Sequence, residues 1–181
     1  MANTMKRSYS EQYFSGIDGE NSARNVAVEW LRAKSGRLCT LYVLILWGVF
    51  AFLSGTALFD AAQALTILNV VHSLCTFFAL HWAKGSPDSH CQGEFNGLTV
   101  WEQIDGGAPW TTSKKILILV PTLLALLCLN ASNYAPKSVL LNLPVYLLCV
   151  VPKVPAMHGV RILGINSTVG VDDKINVKKK K

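Results

Sequence analysis

Asn69 and His72 stand three residues apart inside an uncharged run, which puts an amide and an imidazole on one helical face at a depth without water. Such a pair fits a ligand contact or a step in a proton relay. It also fits an interhelical hydrogen bond made by neutral imidazole, worth about 0.6 to 2 kcal/mol. No Asp, Glu, Lys or Arg shares the run to pass a proton onward, which favours the hydrogen bond.

A second set of chemically capable residues is Glu102 and Asp105, with His81, His90 and His158 as imidazoles to accompany them. The patterns that would make them a site are missing. There is no H-x-x-H or H-E-x-x-H for a metal, no Gly-rich phosphate loop, and no Ser, His and Asp set singled out by spacing. The cysteines Cys39, Cys75, Cys91, Cys128 and Cys149 show no C-x-x-C spacing, and four sit in apolar runs, where a thiol behaves as a small hydrophobe. These absences disfavour a metal centre, a disulfide framework and an enzyme, and imply no cofactor. Two carboxylates on one face still leave room for a small lipid-modifying enzyme or a lipid transporter built around Asn69, His72 and Glu102.

The carboxylates fall in the richest stretch, 83–115, which holds Lys84-Gly-Ser-Pro87, Gln92-Gly93 and Leu98-Thr-Val-Trp-Glu-Gln-Ile-Asp105-Gly-Gly107. Thr99 with Glu102 fits a capping box, Leu98, Trp101 and Ile104 recur every third residue, and Asp105-Gly106 stops the helix. The expectation is a short amphipathic helix lying on the cytosolic surface or packed over the cytosolic ends of the spans. Trp101 and Trp110 would sit in the headgroup layer, and the polar face of Glu102 and Gln103 would be left for a partner. A merely structural connector would carry the same pattern.

The elements that position these residues are apolar spans. With 51% hydrophobic and 15% charged residues in 181, the chain has the composition of a small membrane protein. Leu38 to Leu58 gives 21 residues without a charge and Ala61 to Trp82 gives 22, each enough at about 1.5 Å per residue to cross a hydrocarbon core of about 30 Å. Asp60 and Gln63 mark the short turn between them. Ile116 to Leu129 and Ser138 to Val151 hold 14 residues each, short unless flanking lysines lengthen them. Lys114, Lys115 and Lys153 are expected to snorkel and so to supply that length. Pro121 and Pro144 lie inside these shorter runs, where neighbouring helices can satisfy the carbonyls they free.

Four spans put the N-terminus, the middle segment and the C-terminus on one side. Of 17 Lys and Arg, six precede the first span, three lie in 83–115, seven follow the fourth run, and Lys137 alone falls opposite. The side holding 16 of 17 should be cytosolic. The basic residues sit beside apolar runs, so the net charge of +6 points to anionic lipid headgroups and not to nucleic acid. The first residues lack the apolar core and cleavage site of a secretory signal, and nothing is expected to be cleaved. The sequons at Asn130 and Asn166 are expected bare, one too near the membrane and the other cytosolic.

Three clusters carry a resemblance to a known family: Lys84-Gly-Ser-Pro with Leu98-Thr-Val-Trp-Glu-Gln-Ile-Asp105 and Thr112-Ser-Lys-Lys115; Leu65-Thr-Ile-Leu-Asn-Val-Val-His72; and Val151-Pro-Lys-Val-Pro155 with Met157-His-Gly-Val-Arg-Ile-Leu-Gly-Ile-Asn166. From about Tyr42 to Asn166 the chain resembles the Orm/ORMDL family of endoplasmic-reticulum regulators of serine palmitoyltransferase. The resemblance implies a non-catalytic four-span protein that associates with the catalytic subunits of that enzyme and restrains it, with ceramide as the signal. It implies that the N-terminal segment reaches the enzyme and that an Asn shortly before the first span serves the ceramide response. Asn21-Ser-Ala-Arg-Asn25 offers Asn25 for that role, without the Thr that closes the family's N-x-N-T run. Arg7-Ser-Tyr-Ser10 resembles a phosphorylatable extension or a disordered tail, and Lys178 and Lys179 resemble a dilysine retrieval signal that can double as a lipid contact.

Together these readings give an all-α membrane protein with four transmembrane helices in two antiparallel hairpins and a short cytosolic amphipathic helix between spans two and three. Residues 1–37 form a partly disordered cytosolic segment, 38–166 the membrane domain with the cytosolic loop 83–115, and 167–181 a basic cytosolic tail. The expected location is the endoplasmic-reticulum membrane. The residues expected to meet partners or the interface are Trp101, Glu102, Gln103, His158, Arg161 and Asn166, with Asn25 for ceramide.

Overall fold

A computed structural model describes residues 35–85, 97–108 and 110–167. Asn25, Lys178 and Lys179 lie outside them, as do Ser8, Ser10, His90 and Cys91. The described residues are helical, without a strand, in the order α1 (Ser35–Gly55), α2 (Ala61–Phe77), α3 (Val100–Gln103), α4 (Thr112–Ala131) and α5 (Pro136–Val150). Short 3-10 turns at Val151–Lys153, Pro155–Met157 and Ile162–Gly164 follow α5.

Three helical stretches are long and apolar enough to cross a membrane: Gly36–Gly55, Ala61–Trp82 and Thr112–Ala131. The third is longer than its 14-residue uncharged run because Thr111 caps it, its hydroxyl accepting from the Lys114 amide at 3.3 Å. The first turn therefore takes in Lys114 and Lys115, and Pro121 is carried inside the helix. By contrast α5 has 15 residues, about 22 Å of helix.

Asp60 and Gln63 do more than mark a turn: they form the capping box that starts α2, with the Asp60 carboxylate accepting from the Gln63 amide at 2.8 Å. At its far end α2 loosens into a π-helical turn over Phe78–Trp82, closed by the Ala83 amide bonding the Phe78 carbonyl at 3.1 Å. Between α4 and α5 the chain reverses at Asn133 and Tyr134, both in the left-handed region at φ 49 and 55.

α2 is the centre of the bundle, packed against α4 and α5, which also pack on each other; α1 rests on α2 more lightly. None of the most apolar stretch of α1 is buried within the chain, and Leu41, Leu44, Ile45, Trp47 and Phe52 are all exposed. The interior of the bundle is knitted by polar side chains. Asn69 Nδ2 donates to Asn142 Oδ1 at 2.9 Å, and Asn142 Nδ2 donates to Thr66 Oγ1 at 3.2 Å and Ser138 Oγ at 3.1 Å. His72 Nε2 shares a hydrogen bond with the Tyr42 hydroxyl and lies 3.3 Å from Thr76 Oγ1. Interhelical bonding is thus the arrangement these two residues adopt, α2 to α5 through Asn69 and α2 to α1 through His72.

The lysines depart from expectation. Lys114 and Lys153 do not snorkel; each is 0% exposed. The Lys114 amine donates to the Ala108 carbonyl at 2.8 Å, and the Lys153 amine to Cys149 Sγ at 3.0 Å. Each amine finds its acceptor on the chain itself.

Candidate interaction site at one end of the bundle

α3 is one turn long and would not persist alone. Its capping box holds it: the Thr99 hydroxyl accepts from the Glu102 amide while the Thr99 amide donates back to Glu102 Oε2 at 2.7 Å. Asp105 at φ 54 and Gly106 at φ 65 end it, and the Thr111 hydroxyl bonds Asp105 Oδ2. A side chain on Gly107, at φ 82, would press within 3.3 Å of the Glu102 carbonyl. The chain therefore doubles back tightly from α3 into α4.

This geometry turns α3 into the protein. Trp101 is 3% exposed and packs with Ile104 against Leu80, Leu117 and Ile118. The His81 ring lies 5.4 Å from the Trp101 ring, and the Lys114 amine stands 5.4 Å from the Trp101 centroid. Trp101 is a core residue here and not a headgroup anchor, whereas Trp110 is exposed.

The polar face expected to await a partner is closed as well. Glu102 is 4% exposed and Gln103 6%. Arg161 Nη1 donates to Glu102 Oε1 at 2.8 Å and Nη2 to Oε2 at 2.9 Å, a two-pronged ion pair. The Gly159 amide adds a bond to Oε1 at 2.8 Å, and Arg161 Nη2 also donates to the Gly97 carbonyl at 2.8 Å. Gln103 Nε2 donates to the Gly85 and Leu98 carbonyls at 2.9 and 3.0 Å. Asn166 Nδ2 donates to the Trp82 carbonyl at 3.0 Å.

Five of the residues singled out by sequence, Trp101, Glu102, Gln103, Arg161 and Asn166, thus meet at one end of the bundle. Their contacts bind the C-terminal segment over α3 and the end of α2. His158 is on that segment, half-buried beside the Gly159 amide. Asn69 and His72 bond other partners within the bundle.

Burial alone would push the Glu102 carboxyl up; the Arg161 guanidinium and the Thr99 amide and hydroxyl outweigh it and hold it at about 2. A carboxylate so low, with both oxygens occupied, is a poor proton carrier near neutral pH. Among the described residues no group of three or more His, Cys, Asp and Glu could hold a metal ion.

Sequence reasoning missed the surface this clamp creates. Between the anchors Arg161 and Asn166 the chain presents Ile162, Leu163 and Ile165, with Leu163 94% exposed at φ 53. The signal was present as an aliphatic run between two polar residues, but spacing alone does not say that both flanks are tied down.

A family model described as the ORMDL family matches residues 25–161. ORM1-like protein 2 of Homo sapiens is 36% identical over 126 residues, covering 69% of this chain and 82% of that protein. ORM1-like protein 1 of Homo sapiens is 38% identical over 109 residues, covering 60% and 71%. An uncharacterized protein of Schizosaccharomyces pombe is 27% identical over 154 residues, covering 85% and 82%. Both partners of the Glu102–Arg161 pair fall inside the family match.

Proposed function

This chain belongs to the ORMDL family, and from that premise we propose that it is a non-catalytic regulatory subunit of serine palmitoyltransferase, restraining the enzyme in response to ceramide. In this reading it resides in the endoplasmic-reticulum membrane with four spans in two hairpins and both termini cytosolic. α5 is the fourth span, short and seated in a locally thinned bilayer.

The observation that carries the reading is the closed Glu102–Arg161 clamp. Both carboxylate oxygens are saturated by protein donors, so the most polar end of the bundle is committed to architecture. Among the described residues, the unburied face of α1 and the Ile162, Leu163 and Ile165 loop present apolar surface outward. Such surfaces suit lipid and partner helices better than a substrate. Residues 1–34 act on the enzyme in this proposal, tethered by α1 so that weak contacts operate at high effective concentration. Asn25 serves the ceramide response, and Lys178 with Lys179 serves retention.

Isolation from membranes in mild detergent tests this. The expected result is co-purification with a much larger, pyridoxal-containing complex whose activity falls as ceramide is added. Deleting residues 1–34 should release that restraint while sparing assembly. Lipid-modifying or transport activity from the isolated chain, with no such complex, would favour the enzyme or transporter instead.

A further inference from the structure

A lysine closing an apolar run ordinarily carries its amine out to water along its own stem. Lys153 turns the other way. It is fully buried, and its hydrogen bond is to the equally buried sulfur of Cys149 at 3.0 Å. α5 ends at Val150, but Val151 keeps helical dihedrals, φ −55 and ψ −45, so the register runs on into the turn Val151–Lys153. Residues four apart then lie one above the other on the same face.

Cys149 is a free thiol. Among the described residues no carboxylate forms an ion pair with Lys153; the titratable groups that feel its charge are His72, His81 and Cys149. A buried ammonium whose partner is one sulfur is costly unless that sulfur carries negative charge. An amine this close can take the thiol proton, and the thiolate so formed is the reactive form of cysteine.

We propose that Cys149 and Lys153 form an oxidant-sensitive pair that closes a covalent sulfur–nitrogen bond on contact with hydrogen peroxide. The Cys149 thiolate takes one oxygen from peroxide, giving a sulfenic acid and releasing hydroxide. The Lys153 ammonium, now without its anionic partner in a buried place, gives a proton to that hydroxide and becomes a neutral amine. The amine nitrogen attacks the sulfur; the nitrogen–sulfur bond forms, the sulfur–oxygen bond breaks, and the departing hydroxyl leaves as water with a proton from nitrogen. Sulfur is oxidised by two electrons and one peroxide becomes two waters. A dithiol reverses the step by returning two electrons, which restores the thiol and the amine.

The test uses the full chain in its native membrane, exposed to peroxide, then denatured, alkylated and digested with trypsin. The linked product resists cleavage after Lys153, and the peptide holding both residues is lighter by about 2 Da than its unmodified form, from loss of two hydrogens. Dithiothreitol should restore both the cleavage and the alkylation of Cys149. Cys39, Cys75 and Cys128, free thiols outside this pair, serve as internal controls and should not form such a link. Lys153→Arg keeps the positive charge but supplies no nucleophilic amine, so its Cys149 should advance to sulfinic acid without a link. The wild-type digest decides the matter whether or not that variant folds. Recovery of alkylated or sulfinic Cys149 with Lys153 still cleaved after peroxide overturns the proposal.

Discussion

Arg161 and Glu102, 59 residues apart in the chain, meet along both prongs of the guanidinium, Nη1 on Oε1 and Nη2 on Oε2. The pair joins the C-terminal segment to α3, and the Gly97 carbonyl and the Gly159 amide bond to the same two side chains.

Breaking it from either side should loosen the C-terminal segment. Removing one partner of a buried pair leaves the other charge uncompensated, at a cost of about 3 to 5 kcal/mol. Arg161→Ala and Glu102→Ala should each lower thermal stability in detergent and speed proteolysis near residues 155–165. Arg161→Lys should fall between them and wild type, since an ammonium cannot engage both oxygens at once. Equal protease resistance in all four proteins would show that the clamp does not hold the segment.

Acid should act through the same carboxylate. The folded pKa of Glu102 is depressed to about 2 from an ordinary value of 4.5, so its contribution is fully present above 4.5 and is lost as pH falls toward 2. Melting temperatures measured from pH 6 down to pH 2 should decline more steeply for wild type than for Glu102→Gln, which has no charge there to lose. Parallel declines would argue against a stabilising role for the ionised group.

Trp101→Ala removes a ring buried against Ile104, Leu80, Leu117 and Ile118, and should cost about 3 to 5 kcal/mol. The loss should appear as instability of the isolated chain. If partner binding weakens while the melting temperature of the isolated chain holds, Trp101 acts at an interface and not in the core.

Asn69 and Asn142 bond across the bundle, and a double-mutant cycle of Asn69→Leu and Asn142→Leu should give a coupling near 0.6 kcal/mol and not above about 1.7. The Asn142 change should cost more by itself, because that amide also bonds Thr66 and Ser138. Unfolding in denaturing detergent reads both quantities, and zero coupling would remove the bond from any account of helix packing.

Orientation can be checked on sealed vesicles. Tags at both termini should be cut by added protease, and a tag placed within residues 132–136 should survive until detergent is added, as the 16-to-1 distribution of Lys and Arg requires. A C-terminal tag that survives intact would mean that α5 does not cross.

Features that depend only on near neighbours along the chain are legible in the amino-acid sequence. The length of an uncharged run marks Ala61–Trp82, the three-residue spacing of Thr99 and Glu102 marks the capping box, and Asp105-Gly106 marks the left-handed stop. Even there the ends move: α4 starts at Thr112 because a hydroxyl cap recruits two lysines into the first turn, and hydropathy alone stops at charge.

What the sequence by itself determined is which residues share a face; which faces are wet was decided only by tertiary structure. Glu102 and Gln103 read as outward because polar groups seek water, yet they are buried, since Arg161 and the Gly85 and Leu98 carbonyls supply the bonds that water would. Lys114 and Lys153 read as snorkelling for the same reason and turn inward onto Ala108 and Cys149. For Glu102 the compensating group arrives from 59 residues away, and for Lys153 it is a sulfur that hydropathy counts as apolar. A polar side chain is costly to bury only when it stays unpaired, and no spacing rule reports what another part of the chain will bring to meet it.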